Sequence, residues 1–242
     1  MEPIEQYIHD RDEQVRKNLT DRDLGIDVHR LTESLVKTNY VKNFTWMGIP
    51  ILQYPTDLMV MQELIGKIRP TSIIEIGIAF GGMTKFYSDM LRLVDTGGMV
   101  IGIDVDIREH AWEVLNRLQR AIAIKGSSTN SEVVDEVKEL IDDKSTVLIS
   151  LDSNHTHEHV LQELKLYSPL VSVGSYIVVF DTAIQFYGHL DKNRERPWSR
   201  GNNPYTAVQE FMKDNEEFVV DREIERRALI TSAPGGFLRR LK

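Results

Sequence analysis

The side chains best suited to acid–base or metal chemistry follow two apolar runs in the second half of the chain. Asp152 comes directly after the run at 146–151, with His155 close behind it, and Asp181 comes directly after the run at 175–180. Carboxylate oxygens bind hard divalent cations, and a nearby histidine is a suitable general base. We therefore predict a cation held by Asp152 and Asp181, with Asp152 and His155 as catalytic residues and His155 as the base. Helix capping by each carboxylate is the alternative.

Two further histidines, His157 and His159, raise the question of a zinc or iron site. An H-E-x-x-H zinc motif would begin at His157, but position 161 is Leu rather than His. A facial triad of Asp152, His155 and His159 would suit a metal-dependent hydroxylase, provided that both imidazoles point inward. We expect at most one of the three histidines to be catalytic.

A second candidate site surrounds three glycines in the first half of the chain. The apolar run at 72–76 contains Glu75 and is followed by Gly77 and the pair Gly81 and Gly82, after which the sequence becomes typical of a helix. Glycines at such a turn let the backbone approach a ligand, and the helix start offers unpaired N–H groups. The G-x-G-x-x-G pattern of dinucleotide folds is absent. The acidic-x-Gly pattern fits a nucleoside with hydroxyl and ammonium groups, such as S-adenosylmethionine (SAM).

More polar residues stand where later strands are predicted to end. Asp104 ends the run at 100–104 and is predicted to accept the ribose hydroxyls, with capping of the next helix as the alternative. Ser127 and Ser128 follow the next strand, and their sequence fits contact with adenine as well as it fits a helix cap. The predicted cofactor-binding set is Glu75, Gly77, Ala79, Gly81, Gly82, Asp104, Asp106, Ser127, Ser128 and Asp152.

Composition excludes several classes of protein. A net charge of −8 over 242 residues argues against a nucleic-acid partner, since such proteins carry a basic face. The absence of cysteine excludes disulfides and thiolate metal sites. The N-terminus lacks a signal-peptide pattern, and no apolar run approaches the roughly 18 residues of a membrane span. We therefore expect a cytoplasmic protein with no membrane partner.

The elements that must position these residues alternate between strand and helix. Strands are predicted at 72–76, 100–104, 121–125, 146–151 and 175–180, with helices between them. This alternation predicts a doubly wound α/β fold with a mostly parallel sheet. Ligands of such sheets lie at the carboxyl ends of the strands, where the candidate residues gather.

Both ends of the chain depart from this alternation. Residues 1–55 are charge-rich, with apolar residues at helical spacing, and are predicted to form a helical extension or cap that also favours a homo-oligomer. The irregular stretch at 183–203 is predicted to be a lid or binding loop. Near the C-terminus, a closing antiparallel hairpin is predicted from the runs at 218–220 with 228–231 and at 237–241.

Several of these segments match a known family. They are Gly48–Asp57 (GIPILQYPTD), Ile74–Gly82 (IEIGIAFGG), Val100–Arg108, Gly126–Thr129, Leu151–Thr156 and Pro234–Arg240. On these segments, within roughly residues 40–242, the chain resembles the cephalosporin hydroxylase / rhamnosyl O-methyltransferase family of class I SAM-dependent methyltransferases. The resemblance implies a seven-stranded Rossmann-like sheet, a methyltransferase domain at 56–242, and a SAM site that includes Glu75, Gly77 and Asp104.

For the metal, the resemblance implies Mg²⁺ held by Asp152 and by the residues after the fifth strand. The family pattern Glu-Asp-Thr reads Phe180-Asp181-Thr182 here, and Asn154 stands where Asp is frequent. Loss of a carboxylate would weaken the metal, alter its coordination or remove it. Mg²⁺ tolerates one or two protein carboxylates plus water, so the predicted metal group is Asp152, Asp181 and Thr182.

The function predicted from these observations is methyl transfer from SAM to a hydroxyl group of a sugar or natural-product small molecule. The hydroxyl would attack the sulfonium methyl in line, with the cation and His155 activating it. Tyr187, Trp198 and Tyr205 are candidate platforms for the acceptor. Three alternatives are an NAD-dependent oxidoreductase, which the glycine pattern disfavours, a metal-dependent hydroxylase, and a non-catalytic SAM-fold partner protein.

Overall fold

Two helices precede the main sheet. The computed structural model describes residues 2–18, 20–190 and 195–242. Helices α1 (Pro3–Asn18) and α2 (Arg22–Lys37) are followed by a 3-10 turn at Tyr40–Asn43. Asp21 begins α2 by accepting a hydrogen bond from Leu24 N at 3.0 Å, which satisfies one free amide of the first turn. The predicted N-terminal helices are present, and a domain boundary near residue 55 stays a prediction.

The central sheet contains seven strands within the described part of the chain. A separate short pair, β1 (Thr45–Trp46) and β2 (Ile49–Pro50), precedes it. The bounds in the central sheet are β3 Ser72–Ile76, β4 Met99–Asp104, β5 Ala121–Lys125, β6 Val147–Leu151, β7 Tyr176–Val179, β8 Phe218–Val220 and β9 Phe237–Arg240. The order is β5-β4-β3-β6-β7-β9-β8, in which the pairings among β3 to β7 are parallel and β9 runs antiparallel to both β7 and β8. The predicted mostly parallel, seven-stranded sheet is confirmed.

Helices cover both faces of the sheet. They are α3 Pro55–Ile68, α4 Gly82–Leu93, α5 Glu109–Leu115, α6 Ser131–Glu139, α7 His157–Tyr167, α8 Ile184–Tyr187, α9 Pro204–Phe211 and α10 Arg222–Ala228. One apolar cluster joins the sheet to α6, α7 and α9, and another joins it to α3, α4 and α10. The fold is therefore doubly wound, as predicted. None of the described helices combines the length and apolar character needed to cross a membrane.

The C-terminal hairpin prediction is wrong in its connection. Strands β8 and β9 do pair antiparallel, but residues 228–231 form no strand, because α10 occupies 222–228. Asp221 caps this helix by accepting from Glu223 N, and Ile224 and Ala228 are buried one turn apart. The apolar spacing at this point has a helical rather than a strand period.

The register of the sheet brings the candidate residues to one edge. Ile76 pairs with Leu151, and Leu151 pairs with Val179. The next residues along these parallel strands are Gly77, Asp152 and Phe180, which therefore lie side by side where the strands end. This is the edge at which ligands bind in open α/β sheets.

Candidate active site

A cavity of about 580 Å³ opens at the carboxyl edge of the sheet. The glycine turn after β3 forms one wall, α2 and the residues after it form a second, and the segment after β7 forms a third. Of the predicted site residues, the described lining includes Gly77, Ala79, Gly82, Asp152, His155 and Asp181. The two candidate sites identified from sequence therefore share one cavity.

Asp152, His155 and Asp181 converge inside this cavity. One ligand atom of each lies within 4.8 Å of the other two. His155 Nε2 is 3.2 Å from Asp181 Oδ2, and the imidazole packs edge-on against Trp198 with ring centroids 4.7 Å apart. The His155 side chain is only 14% exposed, so its partners fix its orientation. This geometry supports both a cation held by the two carboxylates and an oriented imidazole base.

The charge of Asp152 is costly in this position. Burial, followed by the carboxylates of Asp181 and Glu75, raises the pKa of Asp152 well above its usual range. Gln53 opposes this shift by donating from Nε2 to Asp152 Oδ2 at 2.9 Å. A divalent cation between Asp152 and Asp181 would favour the ionised carboxylate, so these residues fit such an ion.

Backbone geometry also marks the residue after β7. Asp181 has a φ of +56°, in the left-handed region that non-glycine residues rarely adopt. The chain leaves the extended conformation of β7 at Asp181, and Asp181 lines the cavity. Strained residues of this kind persist where surrounding structure determines them, and they cluster at active sites.

Two neighbours of Asp181 take no part in the group of ligands. Thr182 is fully buried, and its hydroxyl donates to the Pro234 carbonyl at 2.8 Å, so this predicted metal residue faces the C-terminal turn instead. Phe180 is 1% exposed and belongs to an apolar cluster. A ring thus fills the position next to Asp152 where the family resemblance predicts a carboxylate.

The other two histidines diverge from the site. His157 lies 2.8 Å from Thr206 Oγ1 through Nδ1 and 3.2 Å from Glu210 Oε2 through Nε2, which ties α7 to α9. His159 Nε2 lies 3.0 Å from the buried Glu163 Oε1. A facial triad of Asp152, His155 and His159 is therefore not formed, and the expectation of a single histidine at the site agrees with the geometry.

Asp104 shapes the glycine turn. Its Oδ2 accepts hydrogen bonds from Ile78 N at 2.9 Å and Ala79 N at 3.2 Å, and its Oδ1 accepts from Asp106 N at 3.0 Å. The alternative role as a helix cap is wrong, because α5 begins after Arg108. A carboxylate has about four lone-pair sites, so Asp104 retains capacity for a further donor.

The glycines of the turn are needed for packing as much as for ligand access. A Cβ on Gly77 would collide with the backbone of Asp152, and a Cβ on Gly82 would collide with the backbone of Pro50. Gly81 adopts a φ of +81°, which glycine tolerates without strain. These residues let the turn lie directly against β6 and the segment before α3, a constraint that the sequence did not reveal.

Glu75 lies beneath the turn rather than in the cavity wall. Its carboxyl is 2% exposed, and neither oxygen has a hydrogen-bond partner among the described residues. Burial raises the pKa of Glu75 to about 8. The nearby Thr84 hydroxyl opposes this shift, although its geometry is not that of an ordinary hydrogen bond. An unpartnered buried carboxyl group directly under the turn is consistent with a site that acquires a polar ligand.

The serines after β5 serve a buried network. Ser128 Oγ and Ser153 Oγ donate to Glu163 Oε1 at 2.5 and 2.6 Å, and Ser127 Oγ lies 3.0 Å from Thr129 Oγ1. The helix that follows is capped by Asn130, not by either serine. Neither Ser127 nor Ser128 lines the cavity within the described structure.

Sequence reasoning predicted an N-terminal cap but did not identify the residues of α2 that line the cavity, and it missed Gln53. Leu35, Val36 and Asn39 line the cavity, so the N-terminal helices contribute directly to the site. The only signal in the sequence is the helical spacing of apolar residues in α2. Nothing in the local sequence indicates that Gln53 reaches Asp152, because the two residues meet only through the tertiary fold.

Part of the predicted lid also lines the cavity. Ile184, Tyr187 and Gly188 in and after α8 contribute, together with Arg196 and Trp198. The Arg196 guanidinium lies 4.9 Å from the centre of the Trp198 ring, at cation–π distance. Residues 191–194 of the predicted lid lie outside the described residues.

The strand order, with antiparallel β9 between β7 and β8, is that of the class I methyltransferase fold, and the cavity lies at the carboxyl edge of the sheet. Two solved structures share this fold. A CmcI structure described with Mg and SAM has a TM-score of 0.61 at 17% identity and covers 83% of this chain and 78% of its own. An O-methyltransferase from Bacillus cereus in complex with SAH has a TM-score of 0.53 at 15% identity, with coverages of 86% and 87%. At these identities the likeness establishes the fold.

Sequence comparison places the chain within one family of this class. The family model for Rhamnosyl O-methyltransferase/CmcI matches residues 38–241, and the chain belongs to that family. A Rhamnosyl O-methyltransferase of Mycobacterium tuberculosis H37Rv is 28% identical over 200 residues, covering 80% of this chain and 77% of the relative. One from Mycobacterium leprae is 26% identical over 221 residues, with coverages of 87% and 93%. The resemblance found in the sequence is confirmed, and the chain is a SAM-dependent O-methyltransferase.

Proposed function

We propose that this enzyme transfers the SAM methyl group to a hydroxyl of a sugar or a related natural-product small molecule. The observation that carries the proposal is the convergence of Asp152, His155 and Asp181 in the cavity that the glycine turn also lines. Holding the hydroxyl and the sulfonium methyl in line supplies much of the acceleration of such a reaction. The names of the mycobacterial relatives support a sugar hydroxyl as the acceptor.

Asp152 and Asp181 would hold the cation, and Mg²⁺ is the proposed ion. Two carboxylates with water molecules suffice for Mg²⁺, and the description of the CmcI structure with Mg and SAM supports this choice. When bound, such an ion lowers the pKa of a hydroxyl that it contacts. The buried Phe180 removes one carboxylate that the family resemblance predicts, so water or the acceptor would complete the coordination.

His155 would remove the proton from the acceptor hydroxyl. The protonated ring carries a positive charge, which Asp181 stabilises through its contact with Nε2 at 3.2 Å. Trp198 restricts the ring on another side. General-base catalysis of this kind is typically worth about 10²–10⁴-fold in rate.

SAM would lie along the glycine turn, next to Gly77, Ala79 and Gly82. Asp104 stabilises the turn through two backbone amides and has lone pairs left for the ribose hydroxyls. Glu75 lies buried at the end of β3, just before the turn. Since the Ser128 hydroxyl is engaged by Glu163 and its carbonyl accepts from the Tyr167 hydroxyl, only its backbone N–H is left for the proposed contact with adenine.

The acceptor would occupy the other half of the cavity. Leu35 and Val36 of α2, Tyr187 and Trp198 form apolar and aromatic walls there. Tyr205 packs edge-on against Phe186 with ring centroids 5.1 Å apart, so it serves packing rather than the cavity. An acceptor hydroxyl carried by a partly apolar molecule fits these walls better than a fully polar one.

The test is calorimetric titration of wild type and Asp152→Asn with SAM, in Mg²⁺ and in EDTA, and with Mg²⁺ itself. An SAH-formation assay on glycosides and free sugars follows. We expect both proteins to bind SAM and only wild type to release or absorb heat on binding Mg²⁺. SAH formation should depend on both acceptor and Mg²⁺. Wild type that fails to bind SAM would contradict the proposal, and SAM binding without a Mg²⁺ heat would remove its metal component.

The proposed homo-oligomer would form through the N-terminal helices. None of the residues of α1 is buried, and Ile4 and Tyr7 are 74% and 70% exposed. Light scattering on wild type and on an Ile4→Glu, Tyr7→Glu double variant tests this. A wild-type monomer would contradict it.

A further inference from the structure

Gln53 is a buried polar side chain that reaches the candidate site from outside the cavity. It lies between β2 and α3 and is 2% exposed. Its Nε2 donates to Asp152 Oδ2 at 2.9 Å, and its Oε1 accepts from Ser232 Oγ at 3.2 Å. Both ends of the amide are engaged, which offsets the cost of burying this polar group.

Ser232 connects this amide to a second buried carboxyl group, that of Asp57 on α3. Ser232 N and Ser232 Oγ lie 2.9 and 2.8 Å from Asp57 Oδ2, and Thr231 Oγ1 donates to Asp57 Oδ1 at 2.5 Å. Asp57 has no exposed surface. A continuous series of buried hydrogen bonds therefore joins α3 and the turn before β9 to Asp152.

The partners of Gln53 determine which way its amide faces. In the reverse orientation, its carbonyl oxygen would face the Asp152 carboxylate, and two acceptors would meet about 2.9 Å apart. Ser232 Oγ lies 3.2 Å from Gln53 Oε1 and 2.8 Å from Asp57 Oδ2, so the carbonyl end of the amide has a hydroxyl partner on the side away from Asp152. The bond from Gln53 engages one lone pair of Asp152 Oδ2, so Oδ1 and the second lone pair of Oδ2 are left for a cation.

We propose that Gln53 is a positioning residue that holds the Asp152 carboxylate in the orientation in which it meets His155 and Asp181. The proposal rests on the proposed function, because Asp152 is one of the two carboxylates assigned to the cation. Ser232 and Asp57 act one step further away by holding Gln53. Removal of a group that orients a metal ligand typically lowers metal affinity or activity by about 10–100-fold.

The direct test is a pair of crystal structures, of wild type and of Gln53→Met. Methionine has a similar length and volume but no donor for Asp152. In the variant we expect the Asp152 carboxylate to turn, so that its oxygens lie farther than 4.8 Å from the ligand atoms of His155 and Asp181. An unchanged Asp152 orientation would overturn the proposal. This measurement requires no cation.

The second test is calorimetric titration of the same two proteins with Mg²⁺ alone and, separately, with SAM. We expect Gln53→Met to bind Mg²⁺ about 10–100-fold more weakly and to bind SAM as wild type does, because Gln53 does not line the cavity. Ser232→Ala should give a smaller Mg²⁺ loss, since it keeps the backbone bond to Asp57. Ser232→Ala also tests the proposal if Gln53→Met fails to fold.

Thr56→Val is the matched control for general loosening of this region. The Thr56 hydroxyl donates to the Ile230 carbonyl at 2.5 Å, so it ties α3 to the same C-terminal segment without touching Gln53 or Asp152. If Thr56→Val and Gln53→Met lose Mg²⁺ affinity to the same extent, general loosening of this region would explain the loss and the proposal would be overturned. A wild type that binds no Mg²⁺ would contradict the proposed metal instead, and the crystal structures would still decide the role of Gln53.

Discussion

The two halves of the ligand-binding edge use their polar residues in opposite ways. At the ends of β6 and β7, Asp152 and Asp181 face the cavity and lie close to each other. At the ends of β4 and β5, Asp104 and Ser128 make their hydrogen bonds inside the protein, to the glycine turn and to Glu163. A polar residue after a strand is thus a weak sign of ligand contact by itself. The more informative property is whether the side chain also lines the cavity, as those of Asp152 and Asp181 do.

The largest difference between the two halves should appear on mutation of His155. We expect His155→Ala to lose turnover by about 10²–10⁴-fold with SAM affinity unchanged, because the ring supplies the base and is not one of the residues proposed to hold SAM. The measurement is SAH formation together with SAM calorimetry. His157→Ala is the matched control, since its ring contacts Thr206 and Glu210 on α9. Equal turnover losses in both variants would remove His155 from the chemistry.

Phe180→Glu would make the β7 end more strongly acidic. Since Phe180 lies beside Asp152, a carboxylate there should strengthen Mg²⁺ binding on the order of tenfold. It should also lower stability by about 3–5 kcal/mol without Mg²⁺, because a buried ring is replaced by a charge. Calorimetry and thermal unfolding with and without Mg²⁺ measure both effects. Phe180→Leu is the control, and a Mg²⁺ affinity that is no better in Phe180→Glu than in Phe180→Leu would contradict this account.

Asp104→Asn tests the opposite half. An amide nitrogen cannot accept a hydrogen bond, so the variant loses bonds to Ile78 and Ala79 or to Asp106. SAM affinity should fall on the order of tenfold, whereas Mg²⁺ affinity should not change. Asp106→Asn keeps its backbone N–H and therefore the bond to Asp104. Equal SAM losses in the two variants would show that charge, rather than the shape of the turn, controls the cofactor.

The sheet and the chemically active edge could be predicted because local sequence encodes them. The apolar runs and their alternation with helices predicted a mostly parallel sheet, which the structure shows. Asp152, His155 and Asp181 all lie within four residues of a strand end, where ligands of such a sheet are expected. At the C-terminus, the antiparallel pairing of 218–220 with 237–241 is confirmed, but the strand predicted at 228–231 is absent. The capping of α10 by Asp221 and the burial of one face of that helix mark the segment before residue 229 as helical.

The partners of buried polar groups were beyond the sequence for a different reason. Gln53 meets Asp152 from 99 positions away, and Ser128 meets Glu163 from 35 positions away. Such contacts depend on the packing of separate elements rather than on spacing. For the same reason the sequence predicted Thr182 as a metal residue, whereas its hydroxyl faces Pro234 on the neighbouring turn.

The smallest expected effect concerns the unpartnered Glu75 and is a change of stability with pH. Burial raises its pKa from 4.5 to about 8, so the folded state holds a proton that the unfolded state releases between these values. Unfolding free energy should therefore fall as pH rises through this window, by up to about 1.4 kcal/mol for each pH unit.

The variant Glu75→Gln removes the titrating group and should lose this part of the dependence of stability on pH. Thermal unfolding of both proteins without SAM, from pH 6 to 8, measures the difference. Asp57, whose pKa is raised to about 6, is present in both proteins, so its titration cancels in the comparison. We expect the melting temperature of Glu75→Gln to exceed that of wild type by a few degrees at pH 8 and by less at pH 6. Parallel curves would show that Glu75 acquires a partner in solution, and the glycine turn would then resemble the internally satisfied half of the edge.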